Sequence, residues 1–197
     1  MSNLAELRGN LASRITRPTL KILSRTGLKP DVLTFLGLAI NIGAAYLVAV
    51  HRFLPAGILI LLAGLLDLLD GALARFTKQT TQFGAILDST TDRISEAALF
   101  CGLLVWYMST GSDLGIVLVF AALIGSFLIS YIRARAEALG LECQVGLFTR
   151  AERVIVLAAG LILDQVFIAL CILVVFVYVT VAQRLLYLWR KTKDGGG

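Results

Sequence analysis

The sequence predicts an all-α integral membrane protein with six transmembrane helices, preceded by a helix lying on the cytoplasmic membrane surface. Three observations predict it. Of the 197 residues, 58% are apolar, well above the roughly 45–50% of soluble domains, and the mean hydropathy is +0.86. The apolar residues gather in runs separated by short polar breaks, most of them near the ~20 residues that cross a bilayer. The basic residues collect at alternate breaks, which orients the runs across the membrane.

Taken in order, residues 3–26 place Leu4, Leu7, Leu11, Ile15, Leu20, Ile22 and Leu23 at helical spacing among Arg8, Arg14, Arg17, Lys21 and Arg25. That composition suits a helix at the membrane surface, with Pro18 bending it. Gly27 and Pro30 punctuate a turn, and Thr34 sits near the next helix start. Crossings are expected over 31–50, 54–75, 83–109, 114–138, 150–163 and 165–188. The fifth is short, and Asp164 and Gln165 mark the turn before the sixth. An even number of crossings places both termini on one side. The breaks on that side hold Arg8 to Lys29, Arg75 and Lys78, Arg133 to Arg153, and Arg190 to Lys193. The opposite breaks hold little more than His51, Arg52, Asp113 and Asp164. The asymmetry puts both termini in the cytoplasm of a multi-pass protein of the cytoplasmic membrane. Residues 1–194 read as a single membrane domain, and Gly195–Gly197 as a cloning remnant or linker. Residues 1–29 hold six basic residues and no long apolar core, so no cleavable signal peptide is expected.

Composition also narrows the partners. The formal charge of +5 is carried mostly by residues flanking apolar runs, which points to anionic lipid headgroups and away from nucleic acid. Cys101, Cys143 and Cys171 are odd in number, scattered and without a C-x-x-C pair, so free thiols are expected. His51 stands alone in an outer loop and is not expected to act as a ligand or a base.

The chemistry lies in two acidic clusters attached to apolar runs. Asp67, Asp70, Gly71, Ala74 and Arg75 are followed by Gly84, Asp88 and Asp92, a pattern D-x2-D-G-x2-A-R-x8-G-x3-D-x3-D. Ionisable groups at membrane depth are costly and usually functional. On helices, Asp67 and Asp70 are three apart and Asp88 and Asp92 four apart, so each pair shares a face. The second and third helices are expected to be antiparallel neighbours whose acidic faces meet. Carboxylates are hard ligands for Mg2+, Mn2+ or Ca2+, and two divalent cations balance four Asp. Gly71 and Ala74 keep the adjoining helix surface low enough for a ligand to approach, and Arg75 adds a cation for phosphate. Together they suggest a metal-dependent diphosphate site. Asp–Arg pairs that merely glue a bundle together would not need Gly71 and Ala74 at fixed offsets.

At all eight fixed positions the stretch from Asp67 to Asp92 resembles the signature of the CDP-alcohol phosphotransferase family, and the six-helix layout extends the resemblance over nearly the whole chain. The resemblance implies a homodimeric membrane enzyme that transfers a phosphatidyl-type group from a CDP-lipid to an alcohol and releases CMP. It implies that Asp67 and Asp88 bridge two Mg2+ (or Mn2+) ions, that Asp70 completes one site and Asp92 the other, and that Asp92 is also the general base. It further implies that Gly71, Ala74, Arg75 and Thr81 hold the cytidine diphosphate, with the turn Pro30, Asp31, Val32 and Leu33 closing over the nucleotide. Asp31 stands where family members often have Asn.

The acceptor is read from Ser130 to Arg153. Arg133, Arg150 and Arg153 can converge on the cytoplasmic end of the bundle, a cluster suited to a phosphate carried by the acceptor. Positive-inside topology alone would also supply arginines here, Glu137 and Glu152 are available to pair with neighbours, and Arg133 and Arg135 compete for one position. This stretch resembles the prokaryotic branch of the family, archaeal archaetidyl relatives included, whose acceptor is inositol 1-phosphate. Phosphatidylglycerophosphate-type members usually show Asp-Pro-x-Ala-Asp-Lys at the second acidic pair, and this chain has Asp88-Ser89-Thr90-Thr91-Asp92-Arg93. The expected substrates are therefore CDP-diacylglycerol or CDP-archaeol and inositol 1-phosphate, with glycerol 3-phosphate or free inositol as alternative acceptors. A divalent-cation transporter would be a different class altogether. Transporters tend to place such a site near the midplane between repeated halves, whereas these acids lie near one surface and no repeat is visible.

Overall fold

The computed structural model describes residues 30–77, 81–143 and 145–194, and their regular structure is entirely helical. Six helices form: α1 (Pro30–Ala49), α2 (Phe53–Phe76), α3 (Gln82–Thr110), α4 (Asp113–Ala138), α5 (Arg150–Ile162) and α6 (Val166–Asp194). They fall on the six expected intervals, with α6 running on to Asp194. The expected surface helix over 3–26 and the glycine tail lie outside the described residues.

The boundaries have local causes. Pro30 opens α1, where a missing N–H is harmless and its fixed φ suits a helix. Thr81 caps α3, its hydroxyl accepting the Gly84 N–H at 2.9 Å. Gly111, at φ 69°, closes the same helix in the left-handed conformation. Ser112 caps α4 by accepting from the Gly115 N–H at 3.3 Å. Glu152 folds back on Thr149 to form a capping box at the start of α5, the Thr149 N–H donating to Glu152 Oε2 at 2.8 Å.

Four helices are long and apolar enough to cross a membrane: α1, α2, α4 and α6, with mean hydropathies of 2.0, 2.0, 2.4 and 2.7 over the qualifying spans. The other two fall short for different reasons. Helix α3 has 29 residues but carries Asp88, Asp92, Arg93 and Glu96 in its first half. Helix α5 has 13 residues, about 20 Å of rise.

Packing closes the helices into a ring. Helix α1 packs on α2 and α3, α2 on α5, α5 on α6, α6 on α4, and α4 back on α3. This corrects the expectation that the second and third helices are direct neighbours. Among the described residues α2 and α3 make no close backbone contact, because α1 is seated between them. The seat is made by small residues: a Cβ on Gly102 of α3 would stand 2.3 Å from the carbonyl oxygen of Ala45 on α1. Such contacts let backbones approach where lipid offers no hydrophobic driving force. Inside the ring, Phe100, Leu103, Leu161, Leu170 and Leu173 form a dry core. Leu54, Leu61, Leu65, Val117 and Val175 face outward.

At one end of the ring His51 meets Phe53 edge-on and Trp106 at a tilt, with ring centroids 4.6 and 5.5 Å away. At the other end the starts of α1, α3 and α5 meet the ends of α2, α4 and α6. The acids lie there. Cys101, Cys143 and Cys171 are free thiols.

The Gly102 seat sets a test. Gly102→Ala forces α1 and α3 apart and is expected to cost about 1–3 kcal/mol through overpacking, seen as an earlier thermal transition in detergent. Gly43→Ala, where a Cβ meets nothing within 4 Å, serves as the control and should melt close to the parent.

Candidate active site

Asp67 and Asp70 sit in the last turns of α2, and Asp88 and Asp92 near the start of α3. Because α1 separates the two backbones, the acids meet by reaching across the ring. One carboxylate oxygen each from Asp67, Asp70 and Asp88 lies within 4.8 Å of the other two. Asp70 is buried, and the Thr34 hydroxyl of α1 donates to its Oδ2 at 2.7 Å. The intervening helix thus contributes a side chain that orients an acid.

Helix α5 brings the counter-charge. Arg150 Nη1 donates to Asp67 Oδ2 at 2.6 Å, and Nη2 lies 2.9 Å from Asp92 Oδ1. One guanidinium therefore ties the two acidic helices together, while its Nε is buried without a hydrogen-bond partner. The N-terminus of α5 adds the positive end of a helix dipole at this side of the ring. One turn on, Arg153 grips Glu96 through Nε at 2.7 Å and Nη2 at 3.0 Å. Arg93 Nη1 stands 3.5 Å from Asp92 Oδ2.

The remaining expected residues are placed as follows. Leu33 lines the small cavity over Thr34, Asp67, Asp70 and Asp92, whereas Asp31 and Val32 are exposed on the first turn of α1. Gly71 and Ala74 lie on the last turns of α2, beyond Asp70. The side chains of Pro30 and Arg75 lie outside the described part of the structure. Thr81 uses its hydroxyl to cap α3, and Gly84 is fixed by that cap, since a Cβ there would lie 2.9 Å from the Thr81 oxygen.

The three arginines expected to meet the acceptor line two different hollows. Arg150 and Arg153 line an interior cavity with Asn41, Ser95 and Glu96. Arg133 lines a cleft of about 630 Å3 between α3 and α4, together with Asp88, Ser89, Arg93 and Ser130. Its Nε donates to Glu137 at 2.8 Å, both side chains being exposed. Arg135 is exposed and does not line that cleft.

Three participants were not anticipated from sequence: the Thr34 contact, Glu96 and Arg184. Arg184 is buried and donates to the carbonyls of Val145 and Ile129 at 3.0 and 2.5 Å. Thr180 and Gln183 accept the Phe148 and Leu147 N–H groups at 3.2 and 3.1 Å. The end of α6 thereby clasps the loop that delivers Arg150. A signal for both charges was available: Glu96 and Arg184 are ionisable residues in otherwise apolar surroundings.

Three convergent carboxylate oxygens form a donor set fit for a hard divalent cation. Beside them stand a guanidinium, a helix N-terminus and a polar cleft, so the site can gather phosphate groups against metal and expose a hydroxyl to a carboxylate.

Comparison with known proteins agrees with this geometry. A family model described as CDP-alcohol phosphatidyltransferase matches residues 28–189. The phosphatidylinositol phosphate synthase of Mycobacterium tuberculosis is 42% identical over 162 residues, 81% of this chain and 75% of that protein. The archaetidylinositol phosphate synthase of Methanothermobacter thermautotrophicus is 34% identical over 178 residues, 87% of this chain and 89% of that protein. The crystal structure of the Mycobacterium tuberculosis synthase with CDP-DAG bound superposes with a TM-score of 0.81 at 36% identity, covering 89% of this chain and 94% of that one. A second structure of that synthase, with manganese and citrate, also has a TM-score of 0.81 at 36% identity, covering 88% of each chain.

The Thr34–Asp70 contact predicts a measurable effect on metal binding. Thr34→Val removes the donor and is expected to weaken Mn2+ binding about tenfold, the lower end of what orienting partners contribute, read by electron paramagnetic resonance of free Mn2+. Thr34→Ser keeps the hydroxyl and should bind like the parent.

Proposed function

Since the chain belongs to the CDP-alcohol phosphatidyltransferase family, we propose that it transfers a phosphatidyl or archaetidyl group from a CDP-lipid to inositol 1-phosphate, giving phosphatidylinositol phosphate (or its archaetidyl counterpart) and CMP. The observation that carries this reading is the convergence of Asp67, Asp70 and Asp88 within 4.8 Å beside Arg150. The inositol phosphate acceptor is supported by the activities named for the mycobacterial and archaeal relatives. It is supported also by the basic side chains at this end of the bundle, Arg150 and Arg153 lining a small cavity and Arg133 a cleft.

In this mechanism Asp67, Asp70 and Asp88, with Asp92, hold two divalent cations, Mg2+ or Mn2+. When bound, these neutralise the diphosphate and stabilise the leaving phosphate of CMP. The last turns of α2, with Gly71, Ala74 and Arg75, accommodate the cytidine diphosphate, while Pro30 to Leu33 and Thr81 flank it. Asp92 accepts the proton of the acceptor hydroxyl at Oδ2, the oxygen that Arg150 does not engage. The hydroxyl oxygen forms a bond to the phosphorus bearing the lipid, and the bond from that phosphorus to the bridging oxygen breaks, so CMP leaves with the electron pair. Arg150 and Arg153 meet the acceptor phosphate from the interior wall, and Arg133 meets it from the cleft.

The topology belongs to the same reading. All six helices cross the membrane, α3 with its polar half at the cytoplasmic surface and α5 as a short crossing. Arg133, Arg135, Arg150, Arg153, Arg190, Lys191 and Lys193 gather at the end with the acids, which supports a site on the cytoplasmic side. A homodimer is part of the proposal, and cross-linking in membranes would test it.

Purified protein given CDP-diacylglycerol and Mg2+ is expected to release CMP with inositol 1-phosphate and far less with inositol or glycerol 3-phosphate. Release with glycerol 3-phosphate alone would overturn the acceptor and leave the family chemistry standing. If only a CDP-archaeol donor works, the lipid is ether-linked. Asp92→Asn should bind CDP-lipid yet lose about 10²–10⁴-fold in turnover, the usual contribution of a general base. Turnover near that of the parent would remove Asp92 from that role.

A further inference from the structure

Glu96 lies outside the eight-position signature and outside the carboxylate group that can hold metal. It nevertheless makes a two-bond ion pair with Arg153, at 2.7 and 3.0 Å, with side chains 11% and 4% exposed. The pair spans the ring, because α3 and α5 share no close backbone contact among the described residues. Stability alone accounts poorly for it. Replacing a buried ion pair with apolar residues of similar volume is often neutral or stabilising, and apolar neighbours such as Leu99 and Leu157 surround this one. What the pair does provide is a fixed position.

Arg153 is three residues after Arg150, on the same face of the first turns of α5. Arg150 is held by Asp67 and Asp92, two acids read as metal ligands. Glu96 is not such a ligand, so its hold on α5 does not depend on the metal site. It engages Nε and Nη2 of Arg153, and Nη1 makes no hydrogen bond among the described residues. Arg150 Nε is likewise without a partner, and both arginines line one cavity. Glu96 thus fixes the direction in which two donor groups are offered to an anion.

We propose that Glu96 is a positioning residue for the acceptor. By clamping Arg153 across the ring it holds the first turn of α5 so that Arg150 and Arg153 present their free N–H groups to the acceptor phosphate. The inference rests on the acceptor reading above.

The test is steady-state kinetics of the full chain with CDP-diacylglycerol and inositol 1-phosphate, alongside Mn2+ binding. Glu96→Gln removes the charge at constant shape. It should raise the acceptor KM about tenfold, the equivalent of one charge-assisted hydrogen bond, with kcat, the CDP-lipid KM and Mn2+ affinity within about twofold of the parent. Glu96→Asp restores the carboxylate and should recover part of the loss. An unchanged acceptor KM in Glu96→Gln overturns the inference, as does a parallel fall in kcat, both KM values and Mn2+ affinity, which would mark a merely structural residue. Should Glu96→Gln not fold, Glu96→Asp alone is read, since it keeps the charge paired but shortens the reach to Arg153. A parental acceptor KM there also overturns the inference, and a raised one with kcat and Mn2+ affinity unchanged supports it. The parent separates the two readings. If it releases no CMP with inositol 1-phosphate, the acceptor reading fails and this inference with it; if it does and Glu96→Gln is unaffected, only the role of Glu96 fails.

Discussion

Everything at the acidic end of this bundle answers to the mutual repulsion of its aspartates. Two carboxylates within 4.8 Å repel by about 3–4 kcal/mol at the effective dielectric of ~20 that suits partly buried sites. Three such pairs approach the whole stability of a typical domain, about 5–15 kcal/mol. A bundle cannot hold these acids together passively. The offsetting charge and donors come from different helices: Thr34 from α1, Arg93 from α3 itself, and Arg150 with the N-terminus of α5. Divalent cations complete the balance in the proposed enzyme. The site is therefore also a joint, and α5 is the helix whose place depends most on charge.

The ring arrangement makes that joint possible. Had α2 and α3 packed directly, their acids would have pointed along a shared seam with no room for a nucleotide or an arginine. With α1 wedged between them on small-residue contacts, the carboxylates face inward across a space that Arg150 enters from the opposite wall. The loop before α5 is then a structural requirement. Where the loop turns inward at Phe148 its backbone groups need partners, and Thr180, Gln183 and Arg184 of α6 supply them to Phe148, Leu147 and Val145. Two anchors on α5, the capping box and the Glu96–Arg153 pair, fix its pitch.

Much of this was legible in the sequence, and the reason is local. Helix limits follow from apolar runs, the turn at Gly27 and Pro30 and the break at Asp164 and Gln165, all of which act within a few residues, and the structure adds the Thr81 and Thr149 caps and Gly111. The acidic motif is likewise local, since spacings of three and four put each pair on one face whatever the surroundings. Adjacency of helices was not legible. Short connections suggested that α2 and α3 touch, but nothing in either helix records that Gly102 admits α1 between them. The partners of Arg150 and Arg153 were hidden for the same reason. Asp67 is 83 residues from Arg150 and Glu96 is 57 from Arg153, and composition cannot assign pairs over such distances. The three arginines expected at one end of the bundle line two hollows there, Arg150 and Arg153 an interior cavity and Arg133 a cleft.

That division bears on how an acceptor would be recognised. Arg133 is solvent-exposed and, among the described residues, paired only with Glu137 four residues on, a contact worth a few tenths of a kcal/mol, so it can turn to an incoming anion at little cost. Arg150 and Arg153 are the reverse case. Their geometry is set by acids across the ring before any substrate arrives, and each keeps an N–H group without a partner among the described residues. In the proposed reaction an exposed arginine in the cleft and two preorganised ones in the interior cavity would divide the work. The first would raise the encounter rate for a phosphorylated alcohol, and the others would fix its phosphate so that the hydroxyl meets Asp92. An alcohol lacking the phosphate would leave the interior donors unmatched. Buried donors left without a partner discriminate more strongly than any fit to the ring of the alcohol could.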